Sequence, residues 1–340
     1  MLSLNIDAMN KECKKARILY LKDIFVRRSD KDNTFSAEEL CDILLEEYGI
    51  KVERKAIYKD IEALCEYGLD IVNVRSPKRG YYLDKRDFEM AEVRLLMDAV
   101  SAAKFISPRK TKSLIGKIGA LTSESNEDTL LNQVYVNSSV KCTNEELYDI
   151  IRVLNEAIEK NVQVQFDYAK RTLKKRYVTR MELKTFVVNP YALIWSNDHY
   201  YLICNNPKYN NLMHVRLDRI NNIEITNTKS RHFSAVSKYK DEFDSADYAN
   251  RLFSMFSGES GDVYLRCSNQ LIDEILEKFG EDVPLKLDGD DYFIAKANVE
   301  LSEGLVSWIM QYGENMQVIN PRELRVAIRE RAKAISQLYE

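Results

Sequence analysis

The stretch VERKAIYKDIEALCEYG, residues 52–68, decides how the amino-terminal part of this chain is read. At helical spacing Ile57, Ile61 and Leu64 share one side, and Gly68 falls below them as an end signal. Arg54, Lys55, Tyr58, Lys59 and Glu62 occupy the opposite arc. Arg and Lys in a first turn run against the helix macrodipole, so helix stability does not account for them. A recognition helix meets the major groove with its first turns, where cations and free amides can hold phosphate. The competing reading is an ordinary solvated face, and the neighbouring segments weigh against it.

Upstream, KKARILYLKDIFVRR (14–28) is amphipathic through Ile18, Leu21, Ile24 and Phe25. TFSAEELCDILLEEYGI (34–50) opens on a capping box, Ser36 with Glu39, and stops at Gly49. Downstream, IVNVRSPKRGYYL (71–83) is two strands around a turn with Lys78 and Arg79 at its tip. Three helices and a basic hairpin are the order of a winged helix-turn-helix, assigned to residues 1–84. Its expected duplex contacts are Arg54, Lys55, Tyr58, Lys59, Lys78 and Arg79.

The whole chain has 340 residues, 45% apolar and 30% charged, which suits a folded protein of two or three domains. Its formal net charge is -3, so contact with nucleic acid must rest on local patches. The six cysteines form no CxxC pair, and the three histidines (199, 214, 232) lie far apart. That pattern predicts free thiols, no metal, no cofactor and a reducing compartment. With no apolar leader and no long apolar run, the expectation is a cytoplasmic protein without a membrane partner. No P-loop, no GxSxG and no His/Cys pair at catalytic spacing argues for an enzyme. DGDD (288–291) is read as a hairpin turn, not a metal site.

Residues 85–140 read as a helical linker, with TSESNEDTL (122–130) as a polar loop within it. A helix follows, with Thr143 as cap and Glu146 at its third position. From 162 the period becomes two: VQVQFDY, KTFVVNPYALIWSN, HYYLICNN, MHVRLDRI and NNIEIT alternate like antiparallel strands. In VRLDRI this alternation puts Arg216 and Asp218 on one face and Leu217 and Arg219 on the other. Tyrosine beside arginine suits stacking on bases and gripping phosphate. Lys170, Arg171, Lys174, Lys175, Arg176 and Arg180 add a local basic run on a hairpin. Residues 233–260 read as a connector. From 261 to 340 the pattern is strand, helix, strands, helix and a last helix from about 321, a small α+β domain.

These motifs resemble the bacterial WYL-domain transcriptional regulators. The recognition-helix pattern of that family appears as VERKAIYKDIEAL, with Lys55 and Lys59 in place of arginines, Ala56 in place of threonine, and Asp60 kept. Glu53 stands where the family prefers a capping serine. The name-giving triplet appears as Tyr200-Tyr201-Leu202, the F-x-Y strand ends at Tyr168, and the proline-aromatic pair is Pro190-Tyr191. VRLDRI matches the family's F-R-L-D-R-I.

The resemblance implies an α+β multidomain chain: winged helix-turn-helix, helical linker, Sm-like small β-barrel over 141–232, connector, and a C-terminal extension domain over 261–340. It implies a homodimeric, ligand-responsive regulator that binds double-stranded operator DNA. The effector is then single-stranded DNA, another oligonucleotide or a nucleotide, held by Tyr168, Tyr191, Tyr201, His214, Arg216 and Arg219. The extension is implicated in dimer contacts, with Arg266, Arg322 and Arg325 as its cations. The alternative is a nucleic-acid-processing enzyme, or an accessory protein without regulatory DNA binding.

Overall fold

The computed structural model describes residues 16–76, 78–134, 141–174, 178–196, 198–237, 248, 251–253 and 258–340. The side chains of 171–174 and 178–181 lie outside that set. The chain divides into two compact units, Met1–Lys141 and Cys142–Glu340.

In the first unit, α1 covers described residues 16–28, followed by α2 (Ala37–Tyr48) and α3 (Arg54–Glu66). A hairpin of β1 (Asp70–Val74) and β2 (Gly80–Lys85) comes next. Leu21, Ile24, Phe25, Leu40, Leu44 and Ile57 are buried together at the centre of this bundle. The α2 capping box forms: Ser36 Oγ accepts from the Glu39 amide at 3.2 Å, and Glu39 Oε2 accepts from the Ser36 amide at 2.8 Å. Gly49 ends α2 in the left-handed region, at φ 68°. At the head of α3, Glu53 makes no side-chain cap bond. The hairpin is tied to the turn before α2 by two backbone bonds between Phe35 and Tyr81, at 2.9 and 2.8 Å. That tie requires Gly80, because a Cβ there would sit 2.8 Å from the Phe35 carbonyl carbon.

Three more helices follow among the described residues of this unit: α4 (Met90–Ala102), α5 (Pro108–Gly119) and α6 (Glu124–Leu131). Val93, Met97, Ile115 and Leu130 pack between them. The loop expected at 122–130 is corrected by α6. Ser123 caps this helix by accepting from the Asn126 amide at 3.4 Å. Its polarity misled because Leu130 is its one buried residue. Arg27 holds it by tertiary contact, bonding Glu127 at 2.6 Å and the Thr122 carbonyl at 2.9 Å.

The second unit opens with α7 (Leu147–Lys160), whose Leu147, Ile150, Leu154 and Ala157 are buried. The helix starts later than the Thr143 cap requires, and Glu146 precedes it without a side-chain cap bond. Helix α7 packs across β3 (Val162–Lys174), β4 (Val178–Ser196) and β7 (Ile220–Lys229). With β5 (His199–Asn205) and β6 (Met213–Arg216) these form a five-stranded antiparallel sheet, order β6-β5-β4-β3-β7. Bulges lie between Pro190 and Ala192 and along the β3–β7 ladder.

The expected small β-barrel is not what forms: this sheet is open. Its edge strands β6 and β7 each have a single ladder partner among the described residues. The physical reason lies in the chain between them. Strand β6 lasts four residues, and the next three, Leu217–Arg219, wind into a 3-10 turn that delivers the chain to β7. Bulges bend a sheet toward closure, but closure needs ladder bonds between the first and last strands.

A second sheet has the order β11-β8-β10-β9, from β8 (Glu259–Ser268), β9 (Leu285–Asp288), β10 (Tyr292–Leu301) and β11 (Met316–Asn320). Helices Ile272–Phe279, Glu303–Met310 and Arg322–Leu338 accompany it. Strand β11 is absent from the pattern read along the sequence, where only helices follow β10. Its two buried residues, Met316 and Val318, make too short an alternation to stand out.

Gly80→Ala is predicted to destabilise the first unit by about 1–3 kcal/mol, because backbone must move to admit the methyl group. Gly116→Ala, in helix α5 with nothing within 4 Å of the added carbon, is predicted to add about 0.5–1 kcal/mol. Urea unfolding midpoints of both variants check the pair.

Candidate nucleic-acid interface and effector site

Helix α3 buries Ile57, Ile61 and Leu64, which turns Arg54, Lys55, Tyr58 and Lys59 outward, all exposed. Two of the cations in this head carry carboxylate partners that the sequence reading missed. Arg54 lies 2.5 Å from Glu38, and Lys78 lies 2.5 Å from Glu39. Glu39 is also the capping-box residue, so the hairpin tip is linked electrostatically to the start of α2. The Lys78 ammonium, the Ser36 amide and the Ser36 side chain hold the Glu39 carboxyl below its usual range, against a smaller opposing effect of burial. Arg79 is exposed beside Lys78. The Tyr58 ring stands 6.3 Å from that of Tyr81, which connects helix face and hairpin. Asp60 serves packing instead: Arg17 grips it with two bonds, at 2.5 and 2.9 Å, and both side chains are largely buried.

In the five-stranded sheet, Arg216 is the last residue of β6 and lies opposite Tyr201 of β5. Its guanidinium grips Asp218 with two bonds, at 2.9 and 2.7 Å. Burial works against the charge on Arg216, and the Asp218 carboxylate more than restores it. Strand alternation does not extend past Arg216. In the 3-10 turn Leu217 is fully buried and Arg219 is exposed. Asn144 secures the turn from the segment before α7, donating to the Ile220 carbonyl at 2.8 Å.

Tyr168 lies within electrostatic reach of both Arg216 and Tyr201. Burial raises the Tyr201 hydroxyl above its ordinary range, and Arg216 partly opposes this. His199, which the sequence reading left unassigned, joins the group. Its ring meets Tyr201 edge-on at 6.2 Å, and Arg216, Asp218 and Arg219 all act on it. The signal was available, since period two puts His199 on the face of Tyr201. Its Nδ1 is buried without a hydrogen-bond partner among the described residues. His199, Tyr201 and Arg216 therefore adjoin one another, and Tyr168 and Arg219 act on them electrostatically.

Tyr191 and Tyr201 both pack against the apolar group of Ile194, Ile203, Leu212, Val236, Tyr248 and Leu252, and His214, two residues before Arg216 on β6, lies beside Tyr248 of that group. The Tyr191 hydroxyl donates to the Arg231 carbonyl at 2.9 Å, and burial pushes its pKa up to about 12. The His214 ring nitrogen lies 3.1 Å from the Tyr248 hydroxyl. Lys170 is exposed, while Arg171, Lys174, Lys175, Arg176 and Arg180 lie outside the described side chains. Arg322 and Arg325 are exposed on the last helix, and Arg266 pairs with Asp288 at 2.5 Å. Among the described residues no group of three or more His, Cys, Asp or Glu is placed to hold a metal ion. No described helix is long and apolar enough to cross a membrane.

Comparison with known proteins adds the following. A WYL domain model matches residues 149–225, which include Tyr168, His199, Tyr201 and Arg216–Arg219. A WCX domain model matches residues 259–336, which span the second sheet. The chain is 19% identical over 300 residues to YobV of Bacillus subtilis (strain 168), an uncharacterized HTH-type transcriptional regulator, covering 85% of this chain and 91% of that one. Among solved structures, proteasome accessory factor B/C of Arthrobacter aurescens aligns at 16% identity with a TM-score of 0.29. This chain is covered to 93% and spans 47% of that longer one. A CRISPR Cas-related protein aligns at 14% identity and TM-score 0.36, covering 100% of this chain and 88% of its own. Both scores are too low to signify a shared whole-chain arrangement.

Burial lowers the His199 pKa from its ordinary 6.5, with Arg216 adding to the effect. As pH falls through 6.5, the unfolded chain takes a proton that the folded chain resists, so stability drops with falling pH. His199→Gln is predicted to flatten that drop. Thermal midpoints of parent and variant, measured from neutral pH down to about one unit below the ordinary histidine value, check it.

Proposed function

Starting from a chain that carries a WYL domain followed by a WCX domain, we propose a ligand-responsive regulator that binds duplex DNA through residues 1–84. These residues act as a winged helix-turn-helix, with α3 in the major groove and the β1–β2 hairpin as its wing. The observation that carries the reading is the outward face of α3, where Arg54, Lys55, Tyr58 and Lys59 are exposed on a helix anchored by Ile57, Ile61 and Leu64. The HTH-type regulator to which the chain is similar supports it. Glu38 and Glu39 pair with Arg54 and Lys78 at the surface, where such pairs contribute about 0–1 kcal/mol. A DNA phosphate can replace these carboxylates at little cost.

The effector site is the cluster of Tyr168, Tyr201, Arg216 and Arg219, joined by His199. Rings beside a paired guanidinium suit a base with its phosphate, and the effector is an oligonucleotide, single-stranded DNA or a nucleotide. Phosphate arriving at Arg216 competes with Asp218. That exchange reaches the 3-10 turn and, through Asn144, the segment before α7. Two copies of the chain bind two half-sites, and the effector shifts their geometry through unequal affinity for two states.

Binding to genomic fragments, followed by anisotropy titration against salt, tests the DNA arm. Lys59→Ala and Lys78→Ala are each predicted to weaken all duplexes and lower the salt slope by about one unit. Arg54→Ala is predicted to relax preference at one base pair by about 1–3 kcal/mol. For the sensor arm, Arg216→Ala and Arg219→Ala are predicted to abolish the effector response and spare basal duplex binding. A response that survives both changes refutes the sensor assignment.

A further inference from the structure

The second sheet has a face that its core does not need. Strand β8, a helix, β9, β10, a second helix and β11 follow one another, and the sheet order β11-β8-β10-β9 makes this a split βαβ unit. Val263, Leu265, Cys267, Phe293, Ala295 and Val299 point into the buried core. Alternation therefore sends Tyr264 and Arg266 of β8, and Tyr292, Ile294 and Lys296 of β10, to the opposite face. Strands β8 and β10 are the two central strands, with Tyr264 in the middle of β8 and Tyr292 at the start of β10, opposite Ser268. The Arg266 guanidinium lies 3.7 Å from the centre of the Tyr292 ring. The Lys296 ammonium lies 5.6 Å from that of Tyr264. Lys286 of β9 lies opposite Ile294 and is exposed.

The cations on this face are not free charges. Asp288 holds Arg266 at 2.5 Å, and Asp262 holds Lys296 at 2.9 Å. Arg266, Lys286 and Lys296 are balanced by Asp262, Asp288 and, further along the same side of β10, Glu300 bonded to Ser260, which leaves a field too weak to attract a stiff, highly charged duplex. They suit a flexible strand whose bases stack and whose few phosphates exchange with the two aspartates. Aromatic rings on the two central strands of a four-stranded sheet are also the arrangement by which RNA-recognition sheets stack successive bases.

We propose that this face is a stacking platform for single-stranded nucleic acid, with bases on Tyr264 and Tyr292 and phosphates at Arg266, Lys286 and Lys296. It is separate from the effector cluster around Arg216, and its affinity comes from stacking more than from charge. Salt dependence is correspondingly shallow, about 0.7 of a unit for each phosphate engaged.

The test uses the full chain and short 5-iodouracil-substituted oligonucleotides, ribo and deoxy, which cross-link under ultraviolet light to stacked aromatic side chains. Peptide mapping is expected to place cross-links in 259–268 and 292–301, in the parent protein and equally in the Arg216→Ala variant. A preference between the two sugars decides whether RNA or DNA is the occupant. In anisotropy titrations, Tyr264→Ala and Tyr292→Ala are each expected to weaken oligonucleotide binding by roughly 5- to 100-fold. Tyr→Phe at either position is expected to keep it, and duplex binding is expected not to change. Cross-links confined to other peptides overturn the proposal, whatever the variants do. Alanine variants that bind normally overturn it too. So does a loss of binding that only accompanies a change of oligomeric state in light scattering, because the face is then a contact between copies.

Discussion

Arg216 and Asp218 lie two residues apart and share a bidentate ion pair at the point where strand geometry stops. Much of the second unit follows from that stop. Leu217, between them, is fully buried, and Leu217–Arg219 wind into a 3-10 turn in place of further strand residues. The short β6 cannot reach β7 as a ladder partner, so the sheet stays open. The same turn sets Arg216 beside Tyr201 and within reach of Tyr168, and puts Arg219 at the surface. Removing one member of a partly buried pair leaves the other uncompensated, so the two charges hold each other in place.

The amino-terminal head uses charge differently. Its structural pair, Arg17 with Asp60, is largely buried and ties α1 to α3. The outward pairs, Arg54 with Glu38 and Lys78 with Glu39, are exposed. Exposed pairs hold side chains in orientation at little net energy, and a more highly charged partner can displace the carboxylate. The rigid parts beneath them are local: a capping box, a left-handed Gly49, and the close approach of Gly80 to Phe35. A slightly acidic chain thus carries cations on an exposed face whose neutralising carboxylates come from the same surface.

Period-two alternation acts on both sheets and produces two kinds of tyrosine–cation group. Around Tyr201 the rings are partly desolvated, which raises the hydroxyl pKa and holds the neighbouring His199 neutral over a wider pH range. On the carboxy-terminal sheet, Tyr264 and Tyr292 stand on an open face with their cations over the rings. Desolvation marks the first group and openness the second.

The residues along the chain were enough to locate the helices of the head, the cap at Ser36, the stop at Gly49 and the outward face of α3, because each rests on neighbours within one or two turns. Most strand positions between 162 and 301 were legible for the same reason, since alternation is local. What the sequence could not decide was set by contacts between distant residues. Helix α6 looks like a loop until Arg27 grips Glu127, and β11 is too short to show without β8 beside it. Glu38 and Glu39 become partners of Arg54 and Lys78 only once α2, α3 and the hairpin meet. Tyr191, Tyr201 and His214 meet one apolar group whose Val236 and Tyr248 come from well beyond the strands that carry them. Whether the sheet closes depends on whether its first and last strands meet. Strand β6 ends at Arg216, the chain turns over Leu217–Arg219, and that outcome belongs to the tertiary structure alone.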